Sequence, residues 1–416
     1  MDEPDWETWS EKLDSFARKH FSHLIPSLYG SFDLRHAGWK TAIVDANIFP
    51  SGFNNLSEYC LQDVSRHLKS HVETHHPGTR TILLIAENFT RNLFYLENMH
   101  YLQRIVQDAG FTTRIARIDE TMAAVKEAVR TAGGHWLTVW KAQREGDMLV
   151  VDGFIPDLIL LNNALAGAMP ARLEGISQPI TPLPALGWHR RRKSDHFTHA
   201  NRLLTTVARE IGIDPWRLLA YFDVVDGIDY RAKKNLDEVA RRIGKMLSRI
   251  QEKYDRYGIE EKPFVYVKDN AGAHGRSIIQ VASPEEFLSI NSAARRDLDK
   301  GNMSQKVDSV IIQEGIPTVI TYDHEPAEPV MMVVADHSLG GFFRHNSRKG
   351  THDNLNSRGA SFAQGVLCPG FWGAGAKPHS DITREQVAFF MALSLVSATA
   401  MAEERKDVAH RPHANL

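Results

Sequence analysis

The feature that most restricts the fold is an alternation of short apolar runs with longer helical patterns between residues 41 and 163. Thr41–Ile48, Thr81–Ala86, Phe111–Ile118 and Asp157–Leu161 read as strands. Leu56–His75, Leu93–Ala109 and Glu120–Thr131 carry the helical period between them. This alternation predicts a largely parallel sheet covered by helices, since parallel neighbours need a crossover. Ligands of such sheets gather at the carboxyl ends of strands. Asp45, Asn47, Glu87, Asn88, Asn162 and Asn163 fall there.

Two further segments follow. Residues 194–260 are helical in pattern. Leu236, Val239, Ile243, Ile250 and Tyr254 form one apolar stripe, Asn235 with Glu238 suits a capping box, and Gly258 stops the helix. From about 263 to 376 the chain is β-rich. Phe264–Lys268, Ser277–Val281, Val310–Gln313, Pro329–Ala335 and Gly341–Arg344 read as one antiparallel sheet. The expected class is therefore α/β and α+β. We divide the chain into an N-terminal α/β substrate-side domain (1–190), a helical connection (191–260) and an antiparallel-sheet nucleotide-binding domain (261–416) with a buried C-terminal helix from about Asp381. A length of 416 residues suits two or three domains. The longest apolar run, Val387–Ala402, is shorter than the ~20 residues that span a bilayer.

Composition excludes some function classes. Net charge is −2, which gives no bulk electrostatic case for a nucleic-acid or membrane partner. Two cysteines, Cys60 and Cys368, form no metal or redox motif and fit a reducing cytoplasm. The acidic N-terminus lacks the apolar core of a signal peptide.

The chemistry concentrates in the third segment. Lys268 closes a strand, and Gly272, Gly275 and Ser277 lie in the turn before the next. Glycines admit close approach of a ligand to the backbone, and a lysine supplies a point charge for phosphate. The pattern suits a flap over a nucleoside triphosphate such as ATP; an ordinary hairpin reads the same way. Gln313-Glu314 ends a buried-type strand. Such an end can meet an adenine edge and ribose hydroxyls, or be a core strand with a polar tip. Glu328, Asn354 and Asn356 offer the hard oxygens that Mg²⁺ takes. Arg344 can offset charge on a transferring phosphoryl group. In the N-terminal segment, Asp33, Arg35, Lys40, Asp45, Asn47, Asn54 and Asn55, with Arg91 and Asn92, offer cations, anions and amides for an amino-acid substrate. Structural ion pairs and caps explain them as well. Arg191 and Arg192 belong to a basic run, either solvated or bound to carboxylate or phosphate.

In chain order, the lysine and glycine-rich flap, the Gln-Glu strand, the acidic strand, Gly340-Gly-Phe-Phe-Arg-His-Asn346 and Asn354-Leu-Asn356 resemble the ATP-grasp ligases. Tyr29-Gly-Ser-Phe-Asp-Leu-Arg-His36, Val44-Asp-Ala-Asn-Ile-Phe-Pro-Ser-Gly52, Glu87-Asn-Phe-Thr-Arg-Asn92, Gly187-Trp-His-Arg-Arg-Arg-Lys-Ser-Asp195 and Asn354-Leu-Asn-Ser-Arg-Gly-Ala360 are similar to a minor bacterial type of glutamate–cysteine ligase. The resemblance runs from about Pro26 to Phe362. It implies that ATP phosphorylates the γ-carboxylate of glutamate and that the cysteine amine displaces phosphate, as in the first step of glutathione synthesis in the cytoplasm. The flap departs from the family pattern: Ser277, His274 and Arg276 stand where it has glycine, tyrosine and methionine. A second nucleotide lysine is expected upstream, with Lys233 or Lys234 as candidates. Two alternatives remain open: a ligase for another amino-acid and amine pair, or a weakened relative that binds nucleotide for regulation.

Overall fold

The computed structural model describes residues 4–88, 92–119, 122–272, 277–299, 306–370 and 380–410. Helix α1 (Trp6–Phe21) leads into strands β1 (Tyr29–His36) and β2 (Thr41–Asn47). Next come α2 (Glu58–His75), β3 (Thr81–Ala86), α3 (Leu93–Asp108), β4 (Thr112–Arg117), β5 (Lys126–Arg130) and β6 (Trp136–Lys141). They are followed by β7 (Gln143–Glu145), β8 (Met148–Val150), β9 (Leu158–Asn162), β10 (Ile180–Thr181) and α4 (Lys193–Ile211). Then come β11 (Phe222–Asp226), α5 (Leu236–Tyr257), β12 (Val265–Asp269), β13 (Ile278–Val281), α6 (Pro284–Leu288), α7 (Ser292–Leu298) and β14 (Ser309–Glu314). The last described elements are β15 (Thr321–Tyr322), β16 (Glu325–Val334), β17 (His337–His345), β18 (Ser361–Ala363) and α8 (Arg384–His410).

The strands form three larger sheets and one hairpin, β7–β8. The first sheet has the order β10-β9-β3-β4-β6-β5, parallel except for β5 against β6. The parallel sheet expected from the alternation is therefore present, with two corrections. Strand β2 is not in it. The run 120–131 is not a helix over its described part. Lys126–Arg130 pairs with Trp136–Lys141, setting Val129 against Leu137. Cross-strand packing overrides the helix propensity of its Ala, Lys and Glu residues.

The second sheet joins the two ends of the chain. Its order is β18-β17-β16-β1-β2, antiparallel throughout, with β15 beside β16. The β-rich segment thus forms two sheets rather than one, because β16 pairs with β1 and carries β17 on its other edge. Side chains along β16 alternate between two cores. Met331 and Val333 pack with α1, α4 and α8. Val330, Met332 and Val334 pack with α2, α3 and the parallel sheet. A strand covered on both faces must be apolar at successive positions, which accounts for the run Val330–Val334.

The third sheet, β11-β14-β12-β13, is antiparallel and packs on α5. The stripe Leu236, Val239, Ile243, Ile250 and Tyr254 is buried as expected, and Gly258 ends α5 at φ +64°. The capping box does not form. Asn235 itself has φ +60°, its amide donates to the carbonyls of Asp226 and Gly227, and Glu238 pairs with Arg241 and Arg242. Helix α8 is long and apolar enough to cross a membrane by length and composition, but 78% of its apolar window is buried inside the protein. Cys60 on α2 and Cys368 form a disulfide across 308 residues of sequence, a correction to the reduced thiols that a reducing cytoplasm would imply.

Candidate active site

A cleft opens between the second and third sheets. Asp33 and Arg35 of β1, Val44 and Asp45 of β2 and Glu328 of β16 line one wall. Tyr266, Lys268 and Asp269 of β12, Gly272 and Ile278 line the other. Asn354, Asn356 and Lys193, the first residue of α4, complete it. Residues between 33 and 356 therefore meet at one place. Strand register does this: Asp33 faces Val330 and Asp45, while Glu328 faces Arg344.

One wall carries a network of buried charges. Glu328 accepts from Arg35 Nε at 2.6 Å through Oε2 and from Arg344 Nη1 at 2.7 Å through Oε1. Arg344 Nη1 also reaches Asp33 Oδ2 at 2.7 Å. Arg35 donates onward to the carbonyls of Thr351 (3.2 Å) and Asp353 (2.7 Å), which clamps the loop bearing Asn354 and Asn356. Burial by itself raises the Glu328 carboxyl, but Arg35 and Arg344 outweigh it and hold the group below its usual range. Asp33 goes the other way. Burial lifts it, Glu328 and Asp45 reinforce the lift, and Arg344 does not cancel it. Its Oδ1 is buried with no hydrogen-bond partner.

The opposite wall is cationic. Lys268 Nζ donates to Gln313 Oε1 at 2.7 Å and to the Val44 carbonyl at 3.3 Å. Burial pushes its pKa down to about 8, against the pull of Asp45. Lys193 pairs with Asp45. Burial works against the Asp45 carboxylate, yet Lys193 and Lys268 hold it at about 2. At the lip, a Cβ on Gly272 would come within 2.9 Å of the Asp269 side chain, so the turn needs glycine there. Ser277 lies at φ +53°, in the region that glycine favours.

Asp33, Arg35, Asp45, Lys268, Gly272, Glu328, Asn354 and Asn356, all singled out from the sequence, line the cleft. Arg344 stands behind it in the charge network, and Gln313 is the acceptor for Lys268. Gly275 and Arg91 lie outside the described residues. The other candidates have structural duties. Lys40 and Glu314 form a fully buried pair at 2.7 Å, and Glu314 also accepts from Trp216 Nε1 (2.8 Å) and the Tyr221 N–H (2.9 Å). Glu314 is thus turned into the core under α5 and is not offered to a ribose. Arg191 is a buried strut, bidentate to Glu404 and bonded to the Ala46 carbonyl. Arg192 donates to the Arg191 carbonyl and precedes α4. Asn92 caps α3 through the Tyr95 N–H. Asn54 donates to Asn55, whose carbonyl accepts from Gly365. Asn47 closes β2 opposite Ser31. Lys233 and Lys234 are exposed in the turn before α5 and are not in the cleft lining. The second cleft lysine is Lys193. Its position at the end of the basic run Arg190–Lys193 was the only sequence signal for it.

For a divalent ion the cleft offers oxygen donors only. Each Glu328 oxygen keeps a lone pair beyond its arginine contact, and Asp33 Oδ1 has both. Among the described residues no group of three His, Cys, Asp or Glu side chains forms a cage. One or two carboxylates with an amide suit Mg²⁺ that takes its remaining ligands from phosphate and water.

The family model for glutamate-cysteine ligase matches residues 6–404. A candidate gamma-glutamylcysteine synthetase from Methylobacillus flagellatus KT has 33% identity and a TM-score of 0.86, over 95% of this chain and 93% of that one. D-alanyl-alanine synthetase A from Vibrio cholerae O1 biovar eltor has 11% identity and a TM-score of 0.35, over 79% of this chain and 81% of that one. A glutathione synthetase-like effector from Globodera pallida has 8% identity and a TM-score of 0.35, over 82% and 75%. The last two are too distant to bear on the site. No curated protein matches the chain.

Proposed function

The chain belongs to the glutamate–cysteine ligase family, and on that premise we propose that it joins the γ-carboxylate of glutamate to the amine of cysteine in the cytoplasm. One γ-carboxylate oxygen attacks the terminal phosphorus of ATP, and ADP leaves. The cysteine amine then adds to the acyl carbon, loses a proton, and expels phosphate. The products are γ-glutamylcysteine, ADP and phosphate. The single observation that carries this reading is the cleft itself. It sets two lysines and a glycine-lipped turn against a carboxylate and amide wall.

Lys268 and Lys193 bind the phosphates from the third sheet and the start of α4. Arg344 stands within hydrogen-bond reach of two cleft carboxylates and tempers their charge as a phosphoryl group moves past. Arg35 positions the loop that carries Asn356. Mg²⁺ would be held by Glu328 and Asn356, with Asp33 adjacent, and would neutralise phosphate charge. Gly272, at the lip of the cleft, lets the backbone approach the phosphates closely.

The test is turnover of ATP with Mg²⁺, glutamate and a panel of amines, read by product mass. Glutamate carrying ¹⁸O in its γ-carboxylate should deliver one label to phosphate. An α-linked product, unlabelled phosphate, or turnover only with another acceptor would overturn the reading.

A further inference from the structure

The two cleft lysines are carried by different parts of the fold. Lys193 opens α4, whose Ala200, Leu203, Leu204 and Val207 pack in the core beside the second sheet. Lys268 lies on β12 of the third sheet, whose Val265, Val267, Val310 and Ile312 pack with α5. A phosphate chain held by both lysines needs their separation fixed. The side chains do not fix it by themselves, because each follows its own body: Lys193 pairs with Asp45 of the second sheet, and Lys268 donates to Gln313 of the third.

Asn270, just beyond Lys268, joins the two bodies. It is buried, and each of its polar groups is engaged. Toward α4, its carbonyl accepts the Lys193 N–H at 2.8 Å and its Oδ1 accepts the Ser194 N–H at 3.0 Å. Its Nδ2 donates to Ser194 Oγ at 3.1 Å. Toward β14, its N–H donates to the Ser309 carbonyl at 3.1 Å, and Nδ2 also donates to Ser309 Oγ at 3.1 Å. The Ser194 N–H fixes the orientation of the amide, because only its oxygen can accept. The first N–H groups of a helix need acceptors from outside it. Arg192, at the cap position of α4, supplies none from its side chain. Asn270 supplies them instead, from 76 residues further along the chain.

This cap sits beside the site. Lys193, Lys268 and Asp269 line the cleft, whereas Asn270 stands behind them and does not. Lys268 has anchors of its own, since β12 is paired on both edges, with β13 and β14. Lys193 is different: its main-chain N–H is bonded to Asn270, so the start of α4 is registered on the end of β12. We propose that Asn270 is a positioning residue for nucleotide binding: by capping α4 from the end of β12, it holds Lys193 at the separation from Lys268 that lets both engage one phosphate chain. The assignment rests on the reading of those lysines as phosphate ligands and adds to it a residue that acts through one of them.

The test is a double-variant cycle on the full chain, read by calorimetric titration of a non-hydrolysable ATP analogue with Mg²⁺. Asn270→Ala keeps the main-chain contacts and removes the side-chain ones. It should weaken the analogue about 10-fold, the lower end for a hydrogen bond to a charged group, and Lys193→Met should weaken it at least as much. Because Asn270 acts through Lys193, the double variant should match Lys193→Met to within about twofold, the scatter of such cycles. The KM for ATP should rise in Asn270→Ala with that for glutamate unchanged. A merely structural role would make the two losses multiply. That result, or wild-type affinity in Asn270→Ala, would overturn the assignment and leave the ligase reading standing. Ser194→Ala removes only the hydroxyl on the α4 side and carries the same cycle should Asn270→Ala not fold. Its loss should be about 2- to 10-fold, the range of a neutral hydrogen bond, and should vanish in the Lys193→Met background; persistence there would overturn the assignment. A wild type that binds no ATP analogue would take down the phosphate reading and this assignment together.

Discussion

Replacing Lys268 with methionine removes an ammonium and keeps most of the stem, so it isolates the charge. In the free protein the ammonium donates to Gln313 and to the Val44 carbonyl. Methionine abandons both, so a stability loss of about 1–3 kcal/mol comes with it, the cost of leaving a buried acceptor unpaired. The loss for ATP is separate. One hydrogen bond between charged groups contributes about 1.5–3 kcal/mol, or roughly 10- to 150-fold in Kd. The pH dependence distinguishes it from general damage. Burial holds Lys268 at about 8, so the cation is present below pH 8 and lost as pH rises through it. Wild-type affinity for an ATP analogue should therefore fall between pH 7.5 and about 9.5, with the midpoint moved upward because bound phosphate favours the charged form. Lys268→Met should lack that slope. Calorimetric titrations at several pH values, beside a thermal melt at each, measure both. Wild-type affinity in Lys268→Met at pH 7, or the same slope in both proteins, would refute a phosphate role for Lys268.

Other perturbations follow from the same geometry. Ser277→Gly relieves a left-handed residue that costs about 1–2 kcal/mol, against about 0.5–1 kcal/mol of added chain entropy; Tm and kcat should hold or rise, and a fall in both would show that the serine is needed. Lys40→Met strands Glu314 in the core and should cost about 3–5 kcal/mol in urea unfolding, with part recovered by adding Glu314→Gln; a loss under about 1 kcal/mol would refute it. Glu328→Gln should lower kcat by about 100-fold and raise the Mg²⁺ requirement, and normal turnover at saturating Mg²⁺ would remove it from the site. Burial works against Glu404, but Arg191 and His196 hold it at about 2, below its ordinary 4.5. Its contribution to stability is therefore present above about pH 4.5 and lost as pH falls toward 2; Glu404→Gln should flatten that part of an acid-unfolding curve, and an unchanged curve would count against it.

Local periodicity was a good guide wherever one strand or helix satisfies itself against its neighbours in sequence. Thr81–Ala86 has the bounds read from its apolar run, and the stripe on α5 is buried as its spacing requires. What could not be read is which strands share a sheet. Nothing local to Phe32 or Met331 states that they pair across 299 residues. Register between distant strands is decided by fit on both faces at once. The pairing of Cys60 with Cys368 has the same character, since it follows from the fold and has no motif. Among site residues, chemical type was legible and role was not. Lys40 and Lys193 look alike in sequence; one is sealed against Glu314, and the other opens into the cleft. Glu314 resembles a ribose ligand until Trp216 and Tyr221 are seen to take its oxygens.

The charge network on the β1–β16 wall ties these points together. Asp33, Arg35, Glu328 and Arg344 carry two charges of each sign within a few ångströms, so they cancel while costing desolvation. Well-packed apolar side chains would hold the same strands together at least as well. What the charges add is direction. Arg35 can satisfy Glu328 and still reach the Thr351 and Asp353 carbonyls only if the Asn354–Asn356 loop lies against the cleft. Arg344 can bridge Asp33 and Glu328 only if β17 holds its register on β16. Closing that network therefore requires the N-terminal strand, the C-terminal strands and the asparagine loop to be in place together. The wall that faces the phosphate lysines is complete only in the fully assembled sheet, and a chain folded in one half presents lysines with no oxygens opposite.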